Sequence, residues 1–527
     1  MFKILKMMRR YQVLIFFLFL PLLGYTQQLV TGFVYEDLNS NSKKDRREKG
    51  VPNVSVSNGI EVVQTDADGK YSLPIDDDRI IFVIKPSGYE FHRGDKNLQK
   101  FYYNHKPQGS PELKYQGVNP TGPLPKSVDF ALLPGRGDKV FSALVFGDPQ
   151  PYTMDEMEFF KKGIVNEVEG LQGVKFGLSL GDLVGDDLSL FPAYIDAVSE
   201  VNLPWFNVMG NHDQNFDVEE DKLTDETFEA YFGPSTYSFN EGKVHFIVLE
   251  NILYPDQRDA QGYWGGFRED QLTFVRNDLQ FVPKDHLIVL AMHIPIFEEG
   301  DSFRDEDINK LFDLLKDYPN TVSLSAHTHY QRQVMFGKEE GWNQEKAHHH
   351  YNVGTTSGDW YSGVLNEEGI PVSTMRDGTP KGYAFMDFDG NQYSVRYKVA
   401  GKDPDYQMEI FAPKALRKDN RTTSGIFVNF FMGSPSDTVN VRIDQGPWQK
   451  MNYQPGHDPK YLVDMFMWDT EEELPQGRRP SNPQLNHHLW RINAPVKLDV
   501  GEHLIEVEAT DRYGKKHTSR KTFKIID

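Results

Sequence analysis

At 527 residues the chain is too long for one hydrophobic core, and 39% hydrophobic with 13% aromatic residues suits a globular protein of several domains. A formal net charge of −20 disfavours nucleic-acid backbones and anionic lipid as general partners, although bound cations can reverse the field locally. With no cysteine, disulfides and zinc–thiolate sites are excluded, so each domain relies on its own packing.

Residues 1–26 stand apart from the rest. Lys3, Lys6, Arg9 and Arg10 precede the apolar stretch 13–23, and Gly24-Tyr25-Thr26 leads out of it. That order reads as a secretory signal peptide and predicts a periplasmic or extracellular protein. The apolar stretch is shorter than the ~20 residues a spanning helix needs, and Pro21 interrupts it, so stable membrane insertion is not expected. A lipid anchor would need a cysteine after that stretch, and none exists.

Residues 28–134 predict an N-terminal β domain. Short strand-like runs at 30–35, 54–56, 60–65, 71–74 and 80–85 recur at roughly the 8–12-residue spacing of all-β modules. Asp66-Ala67-Asp68-Gly69 is a hairpin-type turn. The stretch is similar to the Ig-like or prealbumin-like modules attached to many secreted bacterial enzymes. Within it, Asp37, Asn39, Asn41, Asp45 and Glu48 match the first, third, fifth, ninth and twelfth positions of an EF-hand-type calcium loop. Ser42 replaces the turn glycine of such loops, and flanking helices are not evident. A weak calcium site and a polar surface loop both fit.

Residues 139–400 alternate strand and helix patterns. Runs at 140–146, 174–180, 205–209, 287–292 and 322–325 read as buried strands. Met157, Phe160, Ile164 and Val168 recur at helical spacing, as do Phe228, Tyr231 and Phe232. The pattern predicts an α/β sandwich. Residues 410–527 predict a third domain, a C-terminal β-sandwich-like module, from strand patterns at 425–431, 439–443 and 504–509 and a turn at 511–514.

Chemistry-bearing residues gather just beyond the central strands. They are Gly147-Asp148-Pro149-Gln150, Gly181-Asp182, Gly210-Asn211-His212-Asp213, His293, and His327-Thr328-His329. Ligands in α/β sheets collect at the carboxyl ends of strands. A lone Asp at a strand end is ordinarily a turn residue, and a lone His a surface or core residue. The ordered set is what specifies metal chemistry.

In order and spacing these segments resemble the calcineurin-like metallophosphoesterase family, in the layout of its secreted bacterial members with extra β domains on either side. Gln150 stands where that family usually has His, and Ala326 where it usually has Gly. The resemblance implies two metal ions, Mn, Fe or Zn, about 3.5–4 Å apart, with a hydroxide between them attacking a phosphoester. Asp148, Gln150, Asp182 and His329 would surround the first metal. Asp182, Asn211, His293 and His327 would surround the second. His212 would protonate the leaving oxygen, oriented by Asp213 or Asp186.

The implied function is an exported metal-dependent phosphatase or phosphodiesterase. Its substrate would be a small-molecule, sugar, lipid or envelope phosphoester, since Gly185-Asp186-Asp187 stands where protein phosphatases of the superfamily carry an Arg. The alternative is a catalytically silent cell-envelope or carbohydrate binding protein that retains the fold. Gln150 is the residue that favours this alternative. His348-His349-His350 either lines the substrate cleft or has a solvated or supporting role. Trp264, Trp360 and Tyr361, in glycine-rich segments, either shape a pocket or pack.

Overall fold

The computed structural model describes residues 28–297 and 302–527; the expected signal peptide lies outside the described residues. The centre is a mixed α/β domain, and β-rich regions flank it on both sides.

Two sheets form the central domain. The first runs β3-β2-β1-β10-β11, where β1 is Val140–Phe146, β2 Val174–Leu180, β3 Trp205–Val208, β10 Gly382–Asp389 and β11 Gln392–Val399. The second runs β4-β5-β6-β7-β9-β8: Tyr237–Glu241, Val244–Val248, Leu287–Ala291, Thr321–Ser325, His348–Asn352 and, at the edge, Arg332–Phe336. β1 to β3 are mutually parallel, as are β5, β6, β7 and β9.

Strand alternation explains the layering. Phe141, Ala143 and Val145 join the core between the sheets, while Leu144 and Phe146 pack outward against Phe160, Phe191 and Tyr194 of the covering helices. A strand buried on both faces reads as a continuous apolar run, which is why β1 and β2 were visible in sequence. Between the sheets, Phe206 stacks on Phe239 at 4.1 Å, and Phe176 meets Phe246 edge-on at 5.3 Å. The helical pattern at 157–168 begins as α1, Met154–Phe160, and continues through a wider π-helical turn at Lys161–Val165.

The N-terminal region holds two sheets of five and four strands. Its apolar residues, Val30, Phe82 and Phe101 among them, merge with the inter-sheet core of the centre. The C-terminal region also holds two sheets and has its own core, around Val428, Trp490 and Val507. It carries a helix the strand patterns did not reveal, α2, Pro459–Thr470. No helix among the described residues is long and apolar enough to cross a membrane.

Candidate metal centre

Every candidate ligand follows a strand. Asp148 and Gln150 follow β1, Asp182 follows β2, Asn211 and His212 follow β3, His293 follows β6, and His327 and His329 follow β7. The backbone bends sharply there: Asp148, Gln150, Asp182, His327 and His329 all have φ between 38° and 71°. Left-handed non-glycine residues cost about 1–3 kcal/mol each and persist where their surroundings enforce them. The motif glycines have a steric reason. A Cβ on Gly181 would lie 2.6 Å from His293 Nδ1, and one on Gly210 would lie 2.0 Å from the Asp182 nitrogen. Ala326 is tolerated because its methyl faces Gly147, where a second Cβ would approach to 3.3 Å.

Asp182, His293 and His327 each bring one ligand atom within 4.8 Å of the others. His293 Nδ1 lies 2.8 Å from the Leu180 carbonyl, which makes Nδ1 the donor and turns Nε2 inward. That Nε2 is 3.2 Å from Asp182 Oδ1, 3.0 Å from Asn211 Oδ1 and 3.2 Å from His327 Nδ1. His329 is arranged likewise. Its Nδ1 donates to the Gly358 carbonyl at 2.6 Å, and its Nε2 faces Gln150 Oε1 at 2.9 Å and Asp148 Oδ1 at 3.8 Å. Gln150 Nε2 donates to Asp182 Oδ2 at 3.2 Å. Turning that amide over would set its oxygen against Asp182, so one acceptor–acceptor contact remains either way. Lone pairs converging like this fit cations, and oxygen with imidazole donors suits Mn, Fe or Zn.

Protonation divides the ligands: without a cation, His293 and Asp148 are shifted toward their protonated forms, and Asp182, His327 and His329 toward their deprotonated ones. Burial and the neighbouring Asp182 push the Asp148 carboxyl up. Burial also acts upward on Asp182, but His293 and His212 outweigh it and hold that carboxyl below the usual range. Burial opposes protonation of His293, yet Asp182 raises it to about 9. Burial lowers His327 and His329 to about 3, so both offer neutral imidazoles.

His212 stands beside the triad. Its Nδ1 is 2.7 Å from Asp186 Oδ1, and its Nε2 is 4.0 Å from Asp182 Oδ2. Burial opposes its protonation, but Asp182 and Asp186 raise it to about 9. Of the two carboxylates left open by sequence, Asp186 is the one that holds the ring. Asp213 instead accepts the N–H groups of Gly210, Leu183 and Val184 at 2.8, 3.1 and 3.2 Å, pinning two ligand loops together.

The histidine run neither lines the cleft nor meets solvent. His348, His349 and His350 are all buried. His348 bridges Thr321 and Ser323, and His350 bridges Ser323 and Ser325, at 2.6 to 2.8 Å. Ser325 passes the ladder to Asn352, whose amide holds Thr328 and the Tyr330 carbonyl. Trp264 packs under Arg258, with 4.2 Å from guanidinium to ring centroid. Trp360 stacks on His329, a contact that its glycine-rich setting alone did not specify.

The loop at 37–48 closes on itself. Asp37 and Glu48 are buried, whereas Asn39, Asn41 and Asp45 are exposed. Asp37 accepts from the Ser42 and Asn41 N–H groups at 2.6 and 3.3 Å and lies 2.8 Å from His92 Nε2. Glu48 accepts from Leu38 and Asp45 N–H, and the Asn39 and Asn41 amides both donate to Asp45.

Three family models match successive stretches of the chain. Residues 141–331 match the family of calcineurin-like phosphoesterases. Residues 38–117 match the N terminal of calcineurin-like phosphoesterase, and residues 350–517 its C terminal. No curated protein matches. Among solved structures, the purple acid phosphatase PPD1 from yellow lupin (Lupinus luteus) seeds is 13% identical with a TM-score of 0.36, covering 66% of this chain and 67% of its own. GAP50, the anchor in the inner membrane complex of Plasmodium, is 18% identical with a TM-score of 0.30, covering 50% and 85%. Chaetomium thermophilum Vps29 is 14% identical with a TM-score of 0.22, covering 50% and 100%. All three structural likenesses are weak. With ligands converging at the strand ends and the three sequence matches in register, the chain has a calcineurin-like metallophosphoesterase core domain flanked by additional N- and C-terminal regions.

Proposed function

We propose that this protein is a metal-dependent phosphoester hydrolase with a binuclear centre. Asp148, Gln150, Asp182 and His329 would hold one cation, and Asp182, Asn211, His293 and His327 the other. The observation that carries the reading is the inward-facing triad of Asp182, after β2 of the first sheet, with His293 and His327, after the neighbouring strands β6 and β7 of the second. Bound cations would offset the charge of an anionic phosphoester and lower the pKa of water enough to supply a nucleophile at neutral pH.

The chain's own residues do the rest. Leu180 and Gly358 carbonyls aim the imidazoles of His293 and His329. His212, held by Asp186, keeps its Nε2 free to give a proton to the leaving oxygen. A binding protein would not need that pair, which weighs against the silent alternative. Gln150, a neutral and weaker donor than imidazole, is what speaks for that alternative. The basic-then-apolar segment 1–26 supports an exported enzyme acting on a small-molecule, sugar, lipid or envelope phosphoester.

The test is hydrolysis of p-nitrophenyl phosphate and bis(p-nitrophenyl) phosphate with added Mn²⁺. Turnover of either supports the reading, and the preferred ester separates phosphatase from phosphodiesterase. No turnover of either at full metal occupancy rejects it in favour of the binding protein.

A further inference from the structure

The loop that carries Trp360 lies against the metal centre and is held both by the centre and by the C-terminal region. Trp360 stacks on His329 with ring centroids 4.0 Å apart and planes 26° from parallel. Trp360 and Tyr361 are both left-handed, with φ of 47° and 56°. Bulky side chains resist that conformation, so something must enforce it. The core holds the start of the loop: Thr356 and Ser357 N–H donate to the Gly147 and Asp148 carbonyls at 2.7 and 3.3 Å, His329 Nδ1 donates to the Gly358 carbonyl, and the Tyr361 hydroxyl donates to the carbonyl of Pro149.

A second set of restraints comes from residues 476–488 of the C-terminal region. Strand Gly477–Arg478 pairs antiparallel with Gly363–Val364, and Leu365 N–H donates to the Gln476 carbonyl at 3.0 Å. The Arg478 guanidinium donates to the Trp360 carbonyl. Ser481 N–H donates to the buried Asp359 carboxylate at 2.7 Å. Gln484 N–H donates to the Arg376 carbonyl at 2.9 Å. Arg376 in turn sets its guanidinium 5.2 Å from the Trp360 ring centroid and donates to the Thr328 carbonyl at 3.0 Å. A second path runs deeper. Buried His488 lies 2.9 Å from Asp377 Oδ2, which accepts Gln331 N–H at 2.9 Å. Both paths end on residues 327–331.

We propose that Arg478, Ser481 and Gln484 of segment 476–488 form a positioning element of the metal centre. Through the Trp360 turn it fixes the ring plane of His329, and so sets the affinity of the metal site that His329 serves; this rests on the metal-centre reading above. An imidazole binds a cation through one directed lone pair, so the groups that hold its ring govern ligand strength. Removing the Arg478 contact lets the turn relax and carries the indole off the imidazole.

The experiment uses the full chain with Arg478→Ala, Arg478→Lys and, as control, Arg479→Ala. Arg479 is an exposed neighbour whose partner is Asp469, at 2.7 Å. Hydrogen exchange of the metal-free protein should show faster exchange in 357–364 and 327–331 for Arg478→Ala, and no change for Arg479→Ala. Mn²⁺ titration by calorimetry should show one site weakened by about 10–100-fold in Arg478→Ala, largely restored in Arg478→Lys and intact in Arg479→Ala. Unchanged exchange in Arg478→Ala overturns the proposal, and so does faster exchange with unchanged Mn²⁺ affinity. A wild type that binds no Mn²⁺ overturns the metal-centre reading instead, and the exchange result alone then decides whether Arg478 restrains 327–331.

Discussion

His212 and Gln150 are the two residues where geometry adds most to the motif. His212 hydrogen-bonds Asp182 through its backbone N–H, at 2.9 Å, while its ring hydrogen-bonds Asp186. His212→Ala should therefore keep metal content near wild type and lower kcat by about 10²–10⁴-fold. Asp186→Asn should lower kcat by about 10–100-fold with the same metal content, since it loosens the ring without removing it. Metal analysis beside the kinetics checks both; a His212→Ala protein emptied of metal would make His212 a ligand. Gln150→His should tighten one metal site by a similar 10–100-fold in a calorimetric titration. Two equal, tight sites in the wild type, unmoved by that substitution, would instead make Gln150 a partner of substrate or water. The ligand residues were legible because each sits at the end of an apolar run and keeps the order of the motif. The choice between Asp186 and Asp213 was not, because it depends on which backbone amides fold back onto each carboxylate. Trp360, Arg376, Asp359 and Asp377 were missed as supports of the centre for the same reason: their roles are set by contacts more than a hundred residues away.

At the scale of elements, β9 shows what periodicity can and cannot say. Successive strand residues point to opposite faces, so His348 and His350 share one face and His349 takes the other, and the hydrogen bonds follow that division. Periodicity could not say that both faces are buried, because histidine is as common at surfaces as in polar cores. The edge strand β8 and the pair β10 and β11 went unread for a related reason: mixed polar and aromatic residues there weaken the apolar signal. His349 Nδ1 is 2.9 Å from the Tyr393 hydroxyl, and its buried Nε2 has no hydrogen-bond partner among the described residues. Burial, reinforced by Arg512, holds its pKa well below the ordinary value. The native state thus keeps His349 neutral while the unfolded chain protonates near pH 6.5. Its contribution to stability is complete above that pH and is lost as pH falls below it, by up to about 1.4 kcal/mol per pH unit. His349→Phe removes the titration and keeps a flat ring against Tyr393. Urea unfolding at pH 7 and pH 5 should show the variant gaining about 2 kcal/mol on wild type across that interval. A constant difference between the two would mean that His349 is protonated in the native state.

Across the whole molecule the two flanking regions are attached by different physics. The C-terminal region has its own core and meets the centre through buried polar groups such as His488 and Asp377, and through Phe431 and Met432, which join the central apolar core. The N-terminal region shares its apolar core with the central sheets and sends two lysines into buried carboxylates of the centre. Lys85 meets Glu241 at 2.8 Å, and Lys106 meets Glu226 at 2.5 Å, with Asp78 and Glu229 close by. Burial acts against the Lys106 charge, but Glu229 and Glu226 outweigh it and raise its pKa, so it is an ammonium at neutral pH. Lys106→Met would leave Glu226, 1% exposed, without its cation. Stranding one partner of a buried ion pair costs about 3–5 kcal/mol, so urea unfolding at pH 7 should show a loss of that size. Lys106→Met combined with Glu226→Gln should recover part of it, because the stranded charge is gone. A shared core also means that the loss is shared. In native-state hydrogen exchange, the amides of Gln28–Glu36 and of Val140–Phe146 should lose equal protection, while those of Gly501–Thr510, in the separate core, hold theirs. Loosening confined to Gln28–Glu36 would show instead that the N-terminal region unfolds by itself and that the merged apolar core does not couple it to the metal-bearing sheets.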